Sequence, residues 1–160
     1  MGTKNQGAVT ALLDVYQKVI VELQILIENI SDDDLVLIMD KETSNPDCES
    51  VQSILTHVVS SGFSYAVYVQ NSRGILSSRP EREERPTAKQ FIEDLNKVID
   101  FTNETFATIN NHEIEEFNEE AKIHTRWGQV YDIEQLMEHA IVHILRHKLQ
   151  IERFITKQNR

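Results

Sequence analysis

The sequence predicts an all-α fold, a four-helix bundle, on three observations. Four long segments repeat apolar residues at the three- and four-residue spacing of a helix. The 160 residues include only five Gly and three Pro, too few for an all-β chain with its frequent turns. A helix of about 20 residues is about 30 Å long and cannot bury its apolar stripe alone. We therefore expect a single helical domain over residues 1–160.

The first two helices are predicted in the N-terminal half. Apolar residues recur from Leu12 to Ile30, and the acidic run Asp32 to Asp34 marks the end of this helix. Leu35 to Met39 could add a short helical turn. A second helix should start near Ser50, carry apolar residues through Val69 and end around Asn71 to Gly74.

A long connection with Pro80 and Pro86 separates the second and third helices. Thr87 then offers an N-cap with Gln90 three residues later, which is a capping-box pattern. The third helix should run from there to Ile109. These signals predict where the helix starts, while the length of the connection leaves the topology of the bundle open.

A second long connection, Asn110 to Val130, precedes the fourth helix. The alternation within Lys122 to Tyr131 indicates either a short hairpin or an ordered loop. Asp132 is a good N-cap and Gln135 occupies the third helical position, so the last helix should begin there and continue to about Ile155.

The net charge and the cysteine content bear on the possible partners of the protein and on its redox compartment. The 26 acidic and 16 basic side chains give a net charge of −10, which disfavours binding to nucleic acid. The stretch Arg79 to Arg85 alternates in sign and is typical of a solvated loop. The single cysteine, Cys48, allows no intramolecular disulfide and indicates a reducing compartment.

Two further features concern membranes and targeting. The first residues, MGTKNQGAVT, have no cationic segment followed by an apolar one, so no signal peptide is expected. Val19 to Ile30 is the most apolar stretch, and its polar residues argue against a membrane span. We expect a cytoplasmic protein with no membrane partner.

Three of the six histidines lie in the fourth predicted helix, at positions 139, 143 and 147. Residues four apart lie on nearly the same face of a helix, so two imidazoles can reach one metal ion. On a helical wheel His147 falls within the apolar stripe and His143 at its edge. His139 lies further towards the polar side. His143 and His147 are therefore the better ligand pair, with His139 a flanking residue.

A third ligand must come from another helix, and His57 lies among apolar residues in the middle of the second one. His112 and His124 belong to polar connections. Three protein ligands would leave a coordination position open for water or substrate. The alternative is that these histidines are hydrogen-bonded core residues without a metal.

The same residues carry a resemblance to a known family. The segment Met137 to Ile151 (MEHAIVHILRHKLQI) resembles the last-helix signature of the DinB/YfiT-like metalloenzymes. That signature is a histidine, three residues, a second histidine, a basic residue, one residue and Gln-Ile, here His143, His147, Lys148, Gln150 and Ile151. The segment Ser50 to Val58 (SVQSILTHV) resembles the start of the family's second helix and contains its other metal-binding histidine, here His57.

Trp127-Gly128 also resembles the family's approach to the last helix. Two positions depart from the pattern: Leu149 stands where a glycine is common, and Arg146 where a histidine often precedes the second ligand. Both lie outside the three proposed ligands. The departures therefore bear on the subfamily rather than on metal binding.

The resemblance implies a DinB-like bundle, a homodimer and one divalent metal ion. Zinc or nickel is expected first, with manganese or iron as alternatives. It also implies an enzyme that activates a small thiol and transfers it to an electrophilic substrate, or a metal-dependent hydrolase or isomerase. A different class remains open, namely a non-catalytic metal-binding or stress-related interaction protein.

No residue is securely predicted as a general acid or base. Glu138, Tyr65 and Tyr68 lie near the histidines in the predicted helices, although solvation or packing explains each of them more simply. Arg146 could contact an anionic substrate, but its wheel position is polar. Cys48 precedes the second helix and is interpreted as a surface or packed thiol.

Overall fold

The computed structural model describes residues 7–160, and the start of the N-terminal segment considered above lies outside the described residues. Over these described residues the fold is mostly helical, with one small sheet. The helices are α1 (Ala8–Ile27), α2 (Asp32–Val36), α3 (Val51–Ser72), α4 (Ala88–Phe106) and α5 (Ile133–Gln158). Short 3-10 turns occupy Pro46–Cys48, Asn111–Glu113 and Glu119–Ala121. The strands are β1 (Ile123–His124) and β2 (Val130–Tyr131).

The four long helices pack around one core. Helix α1 contacts α4 and α5, and α3 contacts the same two helices from the other side. The short helix α2 packs on α3. The core contains large, fully buried side chains from all four long helices, among them Leu23, Leu55, Phe91, Leu95 and Leu136. This arrangement makes α3 and α5 neighbours, and these are the two helices that carry the three predicted ligands.

The first helix is shorter than predicted, and a second, short helix begins at the acidic run that was expected to mark the end of the first. Helix α1 ends at Ile27, and the side chain of Ser31 then accepts a hydrogen bond from the amide of Asp34 at 3.1 Å. Ser31 is thus the N-cap of α2, and the three aspartates after it occupy the first turn. Acidic groups stabilise the N-terminus of a helix, so the run starts α2.

The remaining helix starts agree with their capping signals. Ser50 and Ser53 form a reciprocal capping box at α3, and Asp132 and Gln135 form one at α5. At α4, the amide of Gln90 donates to Thr87 at 3.3 Å. The Gln90 side chain accepts from the Thr87 hydroxyl rather than from its backbone amide, so this capping box is incomplete.

The other helix ends differ by a few residues from the prediction. Helix α4 stops at Phe106, and Ile109 is buried just beyond it without being helical. Helix α5 extends to Gln158. Apolar periodicity reports burial, and a residue can be buried immediately after its helix ends.

The alternating segment before α5 forms a hairpin. Ile123 pairs with Tyr131 and His124 with Val130 in an antiparallel register. Gly128 has a φ of 88° in the turn, a conformation that glycine adopts without strain. The hairpin places Trp127 beside α3 and α5.

The segment Arg79 to Arg85 is a loop with five of its seven residues exposed, as its sequence predicts, and its three arginines also contact the bundle. The guanidinium of Arg85 pairs with the buried carboxylate of Asp94 at 2.7 Å, and Arg82 pairs with Asp47. Arg79 donates to the hydroxyl of Ser60. The arginines of the alternating run therefore reach groups on neighbouring elements, which tie the loop to the bundle.

Within residues 7–160, no helix combines the length and the apolar character needed to cross a membrane.

Candidate metal centre

The three predicted ligands come together between α3 and α5. His57 lies in the second turn of α3, and His143 and His147 lie one turn apart on α5. His143 and His147 are each 5% exposed. The Nε2 atom of His143 lies 2.9 Å from that of His57 and 3.2 Å from that of His147. Among the described residues, these three form the one group of potential metal ligands whose donor atoms all lie within 4.8 Å of one another.

The outer nitrogens of two of these rings face hydrogen-bond acceptors. Nδ1 of His57 lies 3.3 Å from a carboxylate oxygen of Asp47, and Nδ1 of His147 lies 3.0 Å from the side-chain oxygen of Gln150. An acceptor at Nδ1 favours the tautomer that carries its proton there. The inward-facing Nε2 atoms of His57 and His147 are then lone-pair donors, as a metal ligand requires.

His143 faces both of these lone pairs. Its own Nδ1 is buried and has no hydrogen-bond partner within the described part of the chain. If Nε2 of His143 carried the proton, it could donate to only one of its two neighbours at a time. A cation between the three rings would be bound by all three Nε2 atoms. Two Zn–N bonds at a tetrahedral angle separate their nitrogens by about 3.3 Å, close to the observed separations.

Burial keeps the three imidazoles neutral. Desolvation, followed by the charge of His147, lowers the pKa of His57 from 6.5 to about 4. Desolvation is also the main cause of the lowered pKa of His143 and of His147. A neutral imidazole is the form that binds a metal ion, so the protonation state of the cluster near neutral pH suits a ligand set.

A cavity of about 940 Å³ opens beside the histidine cluster. His57 and His143 form part of its wall, and Tyr65, Tyr68 and Trp127 form an aromatic part. Its volume lies within the usual range of small-molecule sites. The arrangement provides space for a ligand next to two of the three candidate metal ligands.

The rings in the aromatic part of the wall contact one another. The Trp127 ring meets Tyr68 edge-on at 5.8 Å and stacks on His139 at 5.2 Å. Nδ1 of His139 lies 3.0 Å from the hydroxyl of Tyr131, which follows the hairpin turn. His139 is thus a wall residue of the cavity beside the cluster, in keeping with its prediction as a flanking residue.

A smaller cavity of about 420 Å³ lies on the other side of the cluster. It is lined by His57 and His147, and the half-buried Cys48 also faces it. Cys48 therefore lines a space that also reaches His57 and His147. The path of the loop between α2 and α3 brings it there.

Of the other residues considered in the sequence analysis, some line the large cavity and others lie away from the histidine cluster. Tyr65, Tyr68 and Arg146 line the large cavity, whereas Glu138 is exposed and does not line it. His124 is exposed on β1 and, like His112, lies apart from the cluster of potential ligands.

Sequence reasoning missed several contributors to the site. Asp47 and Arg82 form a chain of contacts behind His57, and Arg79 and Arg126 reach the large cavity. Each comes from a connection between helices. No periodic pattern places such residues, and an acidic residue shortly before a histidine-bearing helix is too common a feature to have singled out Asp47.

Comparison with known proteins adds no family or relative: the chain matches no protein-family model, and no curated protein matches it.

Proposed function

We propose that the protein binds one divalent cation through Nε2 of His57, His143 and His147 and uses it to activate a small thiol for transfer to an electrophilic substrate. In this proposal the chain is a DinB/YfiT-like thiol-dependent S-transferase. The observation that carries it is the convergence of three neutral imidazoles beside a cavity of small-molecule size. Nitrogen ligands suit zinc or nickel, with manganese or iron as weaker candidates.

The chemistry follows from the ligand set. A divalent cation held by neutral imidazoles keeps its positive charge and lowers the pKa of a thiol or water that it binds. Three protein ligands leave coordination open, which is typical of catalytic rather than structural zinc sites. The cavity reaches His57 and His143, so a ligand inside it would lie next to the open side of the cluster.

The residues of the chain supply orientation and hydrogen bonds. Asp47 and Gln150 hold the protons of His57 and His147 on the outer nitrogens. Desolvation raises the pKa of Tyr65 well above its ordinary value of 10.0, so its hydroxyl stays protonated and can donate to a ligand in the cavity. Trp127 and Tyr68 close the wall on the hairpin side.

Metal analysis of protein purified without a histidine tag tests the binding part of the proposal. We expect about one cation per chain in the wild type and a loss of it in His57→Ala and His147→Ala. His124→Ala is the matched control, because His124 is exposed and outside the cluster. Full occupancy in both cluster variants would show that the ligand assignment is wrong.

A thiol-transfer assay tests the enzyme class. Monochlorobimane serves as the electrophile, with cysteine, coenzyme A and glutathione as separate thiols. The thiol sulfur forms a C–S bond, chloride leaves, and the thiol proton passes to solvent. We expect transfer that is lost with His147→Ala and retained in His124→Ala. Stoichiometric metal without transfer from any of these thiols would reject the S-transferase and favour a non-catalytic metal protein.

A further inference from the structure

The large cavity has a charge opposite to that of the whole molecule. The chain carries 26 acidic and 16 basic side chains, yet no Asp or Glu among residues 7–160 lines this cavity. Three arginines line it instead: Arg79, Arg126 and Arg146. They come from the α3–α4 connection, the hairpin turn and α5, so three separate parts of the chain bring guanidinium groups to one space.

These arginines differ from others in the bundle in how they are paired. Arg73, Arg82 and Arg85 form ion pairs with Glu113, Asp47 and Asp94. Over residues 7–160, none of the three cavity arginines forms an ion pair with a carboxylate, and the contact of Arg79 is with a neutral hydroxyl. Their positive charge is therefore available to a ligand.

The aromatic wall of the large cavity indicates a second property of its ligand, in addition to negative charge. Tyr65 and Tyr68 each meet the Trp127 ring edge-on, at 6.3 and 5.8 Å, so a sizeable apolar surface lies among the guanidinium groups. Flat ligand groups pack well on such rings, and arginine binds carboxylate and phosphate groups through parallel hydrogen bonds. A ligand that satisfies both features is planar at one part and anionic at another.

We propose that this cavity binds a small molecule in which a carboxylate or phosphate group is attached to a planar aromatic or unsaturated group. The inference rests on the proposed function in one respect: the bound molecule is assigned as the substrate that lies beside the histidine cluster. Arg126 and Arg146 bind the oxyanion, and Trp127 packs on the planar part. The preference for an anion follows from the residues of the cavity and does not require a metal ion.

Trp127 offers a direct measurement, since it is the only tryptophan of the chain and lies in the cavity wall. Its fluorescence can be titrated with benzoate, phenyl phosphate, neutral benzamide and acetate. We expect benzoate or phenyl phosphate to bind at least about tenfold more tightly than benzamide, because charged hydrogen bonds to arginine are lost with the neutral amide. Acetate should bind more weakly than benzoate because it has no planar ring.

Arg126→Gln and Arg146→Gln should each weaken binding of the preferred aromatic anion by about 5- to 20-fold, while binding of benzamide changes little. Arg153→Gln is the matched control. Arg153 lies two turns beyond Arg146 on α5, is exposed, and does not line the large cavity. Arg153 lines the smaller cavity together with Arg146, so Arg153→Gln removes the same charge outside the large cavity and measures any effect that does not arise there. Circular dichroism checks that each variant is folded.

The inference is overturned if benzamide binds as tightly as both anions, or if Arg153→Gln weakens binding as much as Arg146→Gln does. Titrations with metal-loaded protein and with protein treated with EDTA separate it from the proposed function. Arginine-dependent binding of the anion in EDTA-treated protein would support the inference. If the protein then also fails to take up a stoichiometric cation on metal loading, the metal centre is rejected while the inference stands. If the protein binds a stoichiometric cation but shows no preference for the anions over benzamide, the metal centre is supported and the inference is overturned.

Discussion

The carboxylate of Asp47 lies 3.3 Å from Nδ1 of His57, and both of its oxygens also accept from the guanidinium of Arg82. The contact joins the 3-10 turn before α3 to a candidate metal ligand within α3. It favours the His57 tautomer whose Nε2 faces His143. Asp47 is therefore a positioning residue for the cluster.

Asp47→Asn should weaken divalent-metal binding by about 10- to 100-fold, the usual effect of losing an outer partner of a histidine ligand. The amide keeps the size of the side chain but loses the charge that holds the proton on Nδ1. Competition with a chelating indicator measures the affinity. Asp100→Asn, on the exposed face of α4, is the charge-matched control. Equal metal affinities for the two variants would show that Asp47 does not position His57 for metal binding.

Stability should fall as the pH is lowered from about 6.5 towards 4 in metal-free protein. Burial lowers the pKa of His57 from 6.5 to about 4, so in this range the unfolded chain takes up a proton that the folded chain does not. The unfolded state then binds more protons, and the free energy of unfolding decreases with decreasing pH. Above about pH 7 the contribution of His57 is fully present and constant.

Urea unfolding at a series of pH values, with EDTA present, measures this dependence. His57→Asn should reduce the slope between pH 6.5 and pH 4, because the titrating group is gone. His124→Ala, which removes an exposed histidine, should leave the slope almost unchanged. A slope in His57→Asn equal to that of the wild type would contradict the assignment.

Gly62→Ala should destabilise the bundle by about 1–3 kcal/mol, the usual cost of overpacking a core. A Cβ atom at this position would lie 2.6 Å from a Val98 methyl group and 3.4 Å from the Tyr16 hydroxyl. Val98 is 1% exposed, so its branched side chain has little room to move. Urea unfolding of the single variants and of Gly62→Ala with Val98→Ala forms a double-mutant cycle. The glycine substitution should cost less once Val98 is shortened, and an unchanged cost would refute the clash.

Asp132→Ala should reduce the free energy of unfolding by about 1–2 kcal/mol through loss of the α5 cap. One carboxylate oxygen of Asp132 accepts from the amide of Gln135 at 2.8 Å, and the other accepts from the amide of Glu116 at 3.3 Å. Glu138→Ala on the exposed face of α5 serves as the control. An equal loss in both variants would mean that the cap contributes nothing specific.

The start sites of the helices could be predicted because capping depends on near neighbours in sequence. Ser50 and Asp132 both cap helices near the expected positions. The error at Asp32 to Asp34 has the same local origin. An acidic run is compatible with the end of one helix, but Ser31 caps this run and makes it the first turn of α2. Periodicity alone did not separate these two outcomes.

By itself, the sequence determined that the chain is mostly helical and that His143 and His147 share one face of a helix, since the geometry of a helix is set by local hydrogen bonds. Only the tertiary structure decided that Asp47 lies behind His57, and that Arg79, Arg126 and Arg146 line one cavity. Those residues belong to different elements, several of them to loops. Their positions depend on how α3 and α5 pack and on the paths that the connections take across that packing.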